Sequence, residues 1–294
     1  MVEKQNIKSI VFDAFNYILL ILIFIVMVYP FLYVFNYSLS TPSQIKNPLL
    51  LIPEGINITN YKVLFSDSSI FKALLISISR SILGPALMLV VTSMGGYALS
   101  RPNLVCGRFI RLYFIATMYF SAGIIPTYLL YKTIGLTGSY WVYIIPGMVN
   151  VFNMILVKTF LESLPSSLEE AVLIDGGTEI HAFWKILLPL CLPVNAAILL
   201  FSCIGHWNSF IDTQFYNSMN QDLYTMQYVL YNALAVQLAQ SLEEARSTAQ
   251  YTARITGQSL KMAITVITMV PIICVYPFMQ KYFVSGLLIG SIKA

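Results

Sequence analysis

Charge is what this chain has least of. Asp, Glu, Lys and Arg make up 10% of its 294 residues, against about 25% in soluble globular domains, which excludes an ordinary water-soluble fold. Histidine occurs twice and cysteine four times, at Cys106, Cys191, Cys203 and Cys274. No CxxC spacing joins the cysteines, and neither His181 nor His206 has a partner at ligand spacing. No metal or redox centre is therefore expected, and the cysteines read as small apolar side chains. A GxxxxGK[ST] loop is missing, so the chain should not bind and hydrolyse ATP itself. No nucleophile stands beside a base in the pattern that enzymatic chemistry needs. The net charge of +4, with a pI near 8.7, is too small an excess to point to nucleic acid; it suits loops beside anionic membrane lipid.

Apolar surface is what the chain has instead: 57% hydrophobic residues and a mean hydropathy of +0.74. These values describe an integral membrane protein. The apolar runs contain Gly and Pro and lack the strict alternation of a spanning barrel strand, so the expected fold class is all-α. Runs near the ~20 residues that cross a bilayer predict six transmembrane helices in one transmembrane domain, at about 14–37, 73–99, 109–131, 140–160, 187–211 and 260–283. The first run is longer than the ~7–15-residue core of a signal peptide and no small-x-small cleavage site follows, so it is expected to be retained. Arg101, Arg108 and Arg111 crowd the connection between the second and third runs, while Lys132 is the lone cation in the next. The basic side is read as cytoplasmic, which places both termini and a loop at about 162–188 inside, and a long connection at about 212–259 outside.

The inner loop holds a polar, capped, helix-sized island. Ser167 stands three residues before Glu170, the spacing of a capping box, and predicts a helix from Leu168 to about Asp175. Gly176-Gly177 should close it, because glycine adopts the left-handed conformation at a helix end. Two turns are unstable alone and must dock on something. Thr178 is expected to cap a second helix from Glu179 through Leu188, with Pro189 marking the start of the fifth span. On the residues alone, a surface connector with no partner accounts for this loop equally well.

Polar residues within spans face the bundle or a wet cavity. Arg80 is expected to snorkel to the interface, with a contact to a polar solute as the alternative. Asn150, Asn153 and Asn195 are candidates for lining a substrate path, as are Trp207 and Asn208, although interhelical hydrogen bonds and an interfacial aromatic anchor are competing readings. Pro30, Pro85, Pro126, Pro146, Pro193 and Pro271 fall in or near helices and permit kinks, and Gly95-Gly96 offers a close-approach surface. In the outer connection, Leu223, Met226, Tyr228, Leu230 and Leu234 suggest an amphipathic helix.

The order Glu170-Ala171-Val172, three residues including Asp175, Gly176, nine residues, then Ile186-Leu-Leu-Pro189 resembles the EAA loop of ABC importer permeases, with Val172 the one departure. Tyr97-Ala-Leu-Ser-Arg101, Gly205-His-Trp-Asn208 and Gln280-Lys-Tyr-Phe-Val284 resemble segments of the maltose-type sugar permeases, in the branch associated with complex sugars and oligosaccharides. The resemblance implies a type I permease fold in a bacterial cell membrane. It also implies four kinds of partner: a second, different permease subunit, two cytoplasmic ATPase subunits that hold ATP and Mg, an extracytoplasmic solute-binding protein, and a sugar or oligosaccharide. The EAA residues would form the coupling helix that lies in a cleft of an ATPase subunit, with Glu170 capping it, Ala171 and Val172 forming its packing face and Gly176 allowing the turn. A non-sugar cargo and a secondary transporter without an ATPase are the alternatives.

Overall fold

A computed structural model describes residues 7–244, 257–275 and 277. Among them there is no strand, only one antiparallel bridge between Ser40 and Ile56, as expected where lipid leaves backbone groups no outside partner. Three helices are long and apolar enough to cross a membrane, Ile10–Leu39, Ser68–Ser100 and Gly257–Val275, and two bent pairs raise the number to five. The described residues fall into two compact units, one holding those up to Asp67 and from Ala233 to Val270, the other those from Ser68 to Asn232 and from Pro271 on.

In the first unit, α1 (Ile7–Leu39) runs unbroken past Pro30. None of its most apolar stretch is buried within the chain, leaving Ile18, Phe24 and Met27 exposed, as suits a helix whose solvent is lipid. Its far end is tied down: Asn36 Nδ2 donates to the Leu50 carbonyl at 2.9 Å, and the Thr41 N–H reaches the Gly55 carbonyl at 2.8 Å. The short α2 (Thr59–Ser66) follows.

The second unit is built around α3 (Ser68–Ser100), which packs along α6 (Val151–Glu162) and α10 (Leu192–Asn208). Met88, Val157, Leu161, Leu187, Cys191 and Ile198 form its buried core. The approach of α3 and α6 depends on Gly95 and Gly96. A Cβ at Gly96 would lie 3.0 Å from the Met154 carbonyl, and one at Gly95 would meet the Met154 methyl at 2.9 Å.

Three of the expected spans are not single helices. The run at 109–131 divides into α4 (Gly107–Thr117) and α5 (Ile124–Thr133). Gly123 sits between them at φ +83°, and Pro126 occupies the first turn of α5, where its missing N–H is tolerated. The run at 140–160 begins as 3-10 turns, Tyr140–Tyr143 and Ile145–Gly147, and meets α6 at a 41° bend. The run at 187–211 holds a 76° bend between Glu179–Leu190 and Leu192–Asn208, so its straight part begins at Leu192. Prolines explain the break: Pro189 and Pro193 cannot donate to the carbonyls four residues earlier. The helix widens to a π turn at Phe183–Leu187, continues as the single turn α9 (Leu188–Leu190) and ends at Cys191. The last expected run, 260–283, is described as α12 (Gly257–Val275); the remainder lies outside the described residues, as do the Gln280–Val284 segment and residues 245–256 of the outer connection. That connection contains α11 (Met226–Glu244), in which Met226, Tyr228 and Leu230 are buried while Leu234 is exposed, and Leu223 ends a 3-10 turn before it.

Candidate functional site

The polar island folds as two short helices, α7 (Ser167–Ile174) and α8 (Glu179–Ala182). The capping box does not form. Ser166, not Ser167, is the cap residue, its backbone is helical and its side chain makes no capping bond. The far end matches expectation. Gly176 takes φ +78°, its N–H donates to the Leu173 carbonyl at 3.1 Å, and the Gly177 N–H donates to the Val172 carbonyl at 2.8 Å. This pair of bonds is the Schellman closure. The two glycines differ in purpose: a Cβ at Gly176 would meet nothing within 4 Å, whereas one at Gly177 would lie 2.6 Å from Val172 Cγ1. Gly176 supplies the conformation and Gly177 the clearance. Thr178 then accepts from the His181 N–H at 3.3 Å, starting α8 as expected.

Helical spacing sorts the residues of α7 into two faces. Ser167, Glu170, Ala171 and Ile174 form an exposed stripe that Leu173, also exposed, widens on one side, while Leu168, Glu169 and Val172 are half-buried. The expected packing pair is thereby divided: Val172 turns toward the chain's own turn and Ala171 outward. Asp175 is exposed at the helix end, Ile186 is half-buried, and Pro189 is exposed. Ile174 is 85% exposed and Ile180 71%, a large apolar area for a loop in water.

The island is anchored through Glu169, a residue that the motif does not single out. Tyr97 Oη donates to Glu169 Oε1 at 2.7 Å, and Arg101 donates to Oε2 and pairs with it. The Arg101 guanidinium also lies over the Tyr97 ring at 4.2 Å, and that ring packs on Phe183 at 4.9 Å. Burial by itself would raise the Glu169 carboxyl, but the hydrogen bonds from Arg101 and Tyr97 and the charge of Arg101 outweigh it and hold the pKa below the ordinary carboxylate value. Tyr97 and Arg101 stand one turn apart at the end of α3, so one carboxylate fastens α7 to the longest helix of its unit. Two adjacent glutamates are the signal that the sequence offers: neighbours on a helix point about 100° apart, so Glu169 and Glu170 cannot share a face.

A second cluster lies on the N-terminal half of α3. Arg80 does not snorkel. Its side chain is 2% exposed, it is paired bidentately with Asp212, and its guanidinium lies 4.4 Å from the centre of the Tyr143 ring. Asp212 is a residue that sequence reasoning misses, although an acid at the end of an apolar run needs a partner. His206 of α10 is wedged against α3, where a Cβ at Gly84 would lie 2.5 Å from its ring. Arg80, Asp212 and His206, with Tyr131, Tyr143 and Tyr216, line a cavity of about 270 Å³. Arg80 Nε and His206 Nδ1 are buried without a hydrogen-bond partner.

The remaining candidates are dispersed. Asn150 caps α6, accepting from the Asn153 N–H at 3.0 Å, and Asn153 Nδ2 lies 3.7 Å from Met88 Sδ. Asn195 is buried against Ser93 at 3.5 Å, beside an apolar cleft of about 410 Å³ between α3 and the π turn. Trp207 is 6% exposed, so it is no interfacial anchor, while Asn208 is exposed at the end of α10.

Residues 96–289 match the family described as binding-protein-dependent transport system inner membrane component. The chain is 34% identical, over 97% of its length and 99% of the relative's, to the polygalacturonan/rhamnogalacturonan transport system permease protein YtcP of Bacillus subtilis. It is 35% identical to Protein LplC of the same organism, over 96% of this chain and 95% of that one. Among solved structures, it is similar to a chain of a bacterial ABC transporter involved in the import of the acidic polysaccharide alginate, with a TM-score of 0.84 and 28% identity over 95% of this chain and 99% of that chain.

Proposed function

The chain belongs to the binding-protein-dependent transport system inner membrane components, and on that premise we propose roles for its parts. It is a permease subunit of an ABC importer of the carbohydrate-uptake group and performs no catalysis of its own. Its cargo is an oligosaccharide or polysaccharide, the class named for YtcP and for the alginate importer. It crosses the membrane six times, α4 and α5 together making the third crossing, with both termini and the α7–α8 island in the cytoplasm. It pairs with a second, different permease; two ATPase subunits bind ATP and Mg beneath them, and a solute-binding protein delivers the cargo from outside.

The observation that carries the coupling assignment is the division of α7 into two faces. An exposed stripe of Glu170, Ala171 and Ile174 is available to an ATPase cleft, while Glu169 fastens the opposite face to α3. A two-turn helix fixed at its back and ended by a Schellman turn transmits displacement instead of unwinding. The glutamate of the motif, Glu170, makes no cap and is free to meet the ATPase.

The test is purification of the tagged chain in mild detergent after expression with its chromosomal neighbours, followed by mass spectrometry. ATP hydrolysis is then measured with the binding protein and a panel of acidic and neutral oligosaccharides. Copurification of an ATPase and a second permease, with hydrolysis raised by one of the sugars, is the expected result. A lone chain that still transports would overturn the importer assembly, and hydrolysis raised only by a non-sugar solute would overturn the cargo.

A further inference from the structure

We propose that the cavity at Arg80, Asp212 and His206 is a saccharide subsite within this subunit that receives one uncharged face of a single sugar ring; this rests on the oligosaccharide-importer reading above. Size is the first argument. At about 270 Å³ the cavity is just below the ~300–1,000 Å³ of drug-sized ligand pockets, which suits one ring and not a chain of them.

The walls are the second argument. Tyr131 and Tyr216 meet at 5.1 Å between ring centres and Tyr143 lies beneath Arg80; Tyr128, outside the lining, stacks on Tyr216 at 6.1 Å. Tyrosine offers an apolar face with a polar rim, the pairing that the C–H faces and hydroxyl edges of a sugar require. These rings stand beside guanidinium, carboxylate and imidazole groups and Ser209.

Charge decides which part of the sugar is read. Arg80 and Asp212 neutralise each other, so the cavity presents no net positive charge, and a carboxylate brought to Arg80 would have to displace Asp212 from a bidentate pair. A hydroxyl both donates and accepts. It can donate to Asp212, which is 22% exposed, and can meet either nitrogen state of His206. Arg80, at 2% exposure, orients Asp212 more than it contacts the ring. The position agrees: twenty residues of α3 separate Arg80 from Ser100, about 30 Å at 1.5 Å per residue, so the cavity lies far from the ATPase-facing loop.

The experiment uses the whole permease–ATPase complex in lipid nanodiscs without the binding protein. Equilibrium dialysis is run with tritiated galactotriose, trigalacturonate and methyl-esterified trigalacturonate. The wild type should retain at least one of these, trigalacturonate and its ester should bind alike, and Tyr216→Leu should weaken binding by about tenfold, the scale of one lost aromatic platform. Tyr216→Phe, which keeps the ring, should bind as the wild type does. Where the leucine variant fails to assemble, His206→Gln takes its place and should weaken binding likewise. Failure of the wild type to retain any probe overturns the subsite, as does full binding by Tyr216→Leu, or loss of trigalacturonate binding on esterification. Each of those results leaves ATPase copurification intact; loss of copurification in the wild type would instead overturn the importer reading.

Discussion

Replacing Glu169 by Gln tests whether α7 is fastened to α3 by charge. The substitution keeps an acceptor for Tyr97 Oη and nearly the same volume, so packing around Phe183 should hold. It removes the ion pair with Arg101, whose partners are 26% and 16% exposed. A hydrogen bond between charged groups is worth about 1.5–3 kcal/mol, against about 0–1 kcal/mol for a surface pair; the partial burial here argues for the middle, about 1–2 kcal/mol. At about 1.4 kcal/mol per factor of ten, the docked state of α7 should be depleted roughly five- to thirtyfold. The assay is the ratio of sugar transported to ATP hydrolysed in proteoliposomes, alongside ATPase copurification. The ratio should fall while copurification stays normal, because the stripe of Glu170, Ala171 and Ile174 is untouched. Arg101→Met should do the same, and the double variant should be no worse than either single one. An unchanged transport ratio in Glu169→Gln, or additive losses in the double variant, would refute the clamp.

The same clamp should be insensitive to pH across the neutral range. The Glu169 pKa is lower in the folded chain than unfolded, so its contribution is complete above the unfolded value of about 4.3 and is lost only as pH falls through the lower folded value; a transport ratio that titrates near pH 6 in the wild type and not in Glu169→Gln would contradict this. Gly176→Val should cost about 1–3 kcal/mol, because a β-branched residue is forced to φ +78° with no steric contact. Gly176→Asn should be milder in thermal unfolding of the purified complex. Ile174→Asp should leave membrane insertion normal and reduce ATPase copurification, and equal recovery of ATPase would remove the stripe as the docking face. Arg80→Leu should destabilise the chain by about 3–5 kcal/mol, since it leaves Asp212 without its partner. Arg80→Leu with Asp212→Leu should recover most of that stability, which a thermal shift of the detergent-solubilised protein would read.

What could be read in the sequence was local. Gly176 and Thr178 behave as their neighbours dictate, because a Schellman turn and a helix cap involve only residues a few positions apart. The helical class followed from composition, and the apolar runs overlap the helices of the second unit and α1, although among the described residues only three helices, or five with the bent pairs, are long and apolar enough to cross a membrane. The misreadings came from longer range or from competing local signals. The helix begins at Ser167, one residue earlier than the Ser167–Glu170 spacing implied, with Ser166 in the cap position. The π turn before Pro189 depends on how two prolines four residues apart share the missing donors, which hydropathy does not register. Arg80 and Asp212 are 132 positions apart, so neither announced the other. Arg80 alone read as a snorkelling cation and Asp212 alone as a loop residue.

Helix α3 joins the two clusters. Tyr97 and Arg101 hold the coupling island at one end, and Arg80 lines the cavity nearer the other. From 80 to 97 is 17 residues, about 26 Å of helix. Between them sit Gly84 and Pro85, then Gly95 and Gly96. Pro85 cannot donate to the Ser81 carbonyl, so α3 lacks one backbone hydrogen bond within two turns of Arg80. Gly95 and Gly96 lie where α6 leaves no room for a Cβ on α3. The segment around Gly84 and Pro85 carries the His206 contact and stands one turn from the Arg80–Asp212 pair. The coupling role proposed above predicts that a displacement applied at Glu169 is passed along α3 toward this segment, so a variant without this proline, Pro85→Ala, should change the transport ratio without changing ATPase copurification.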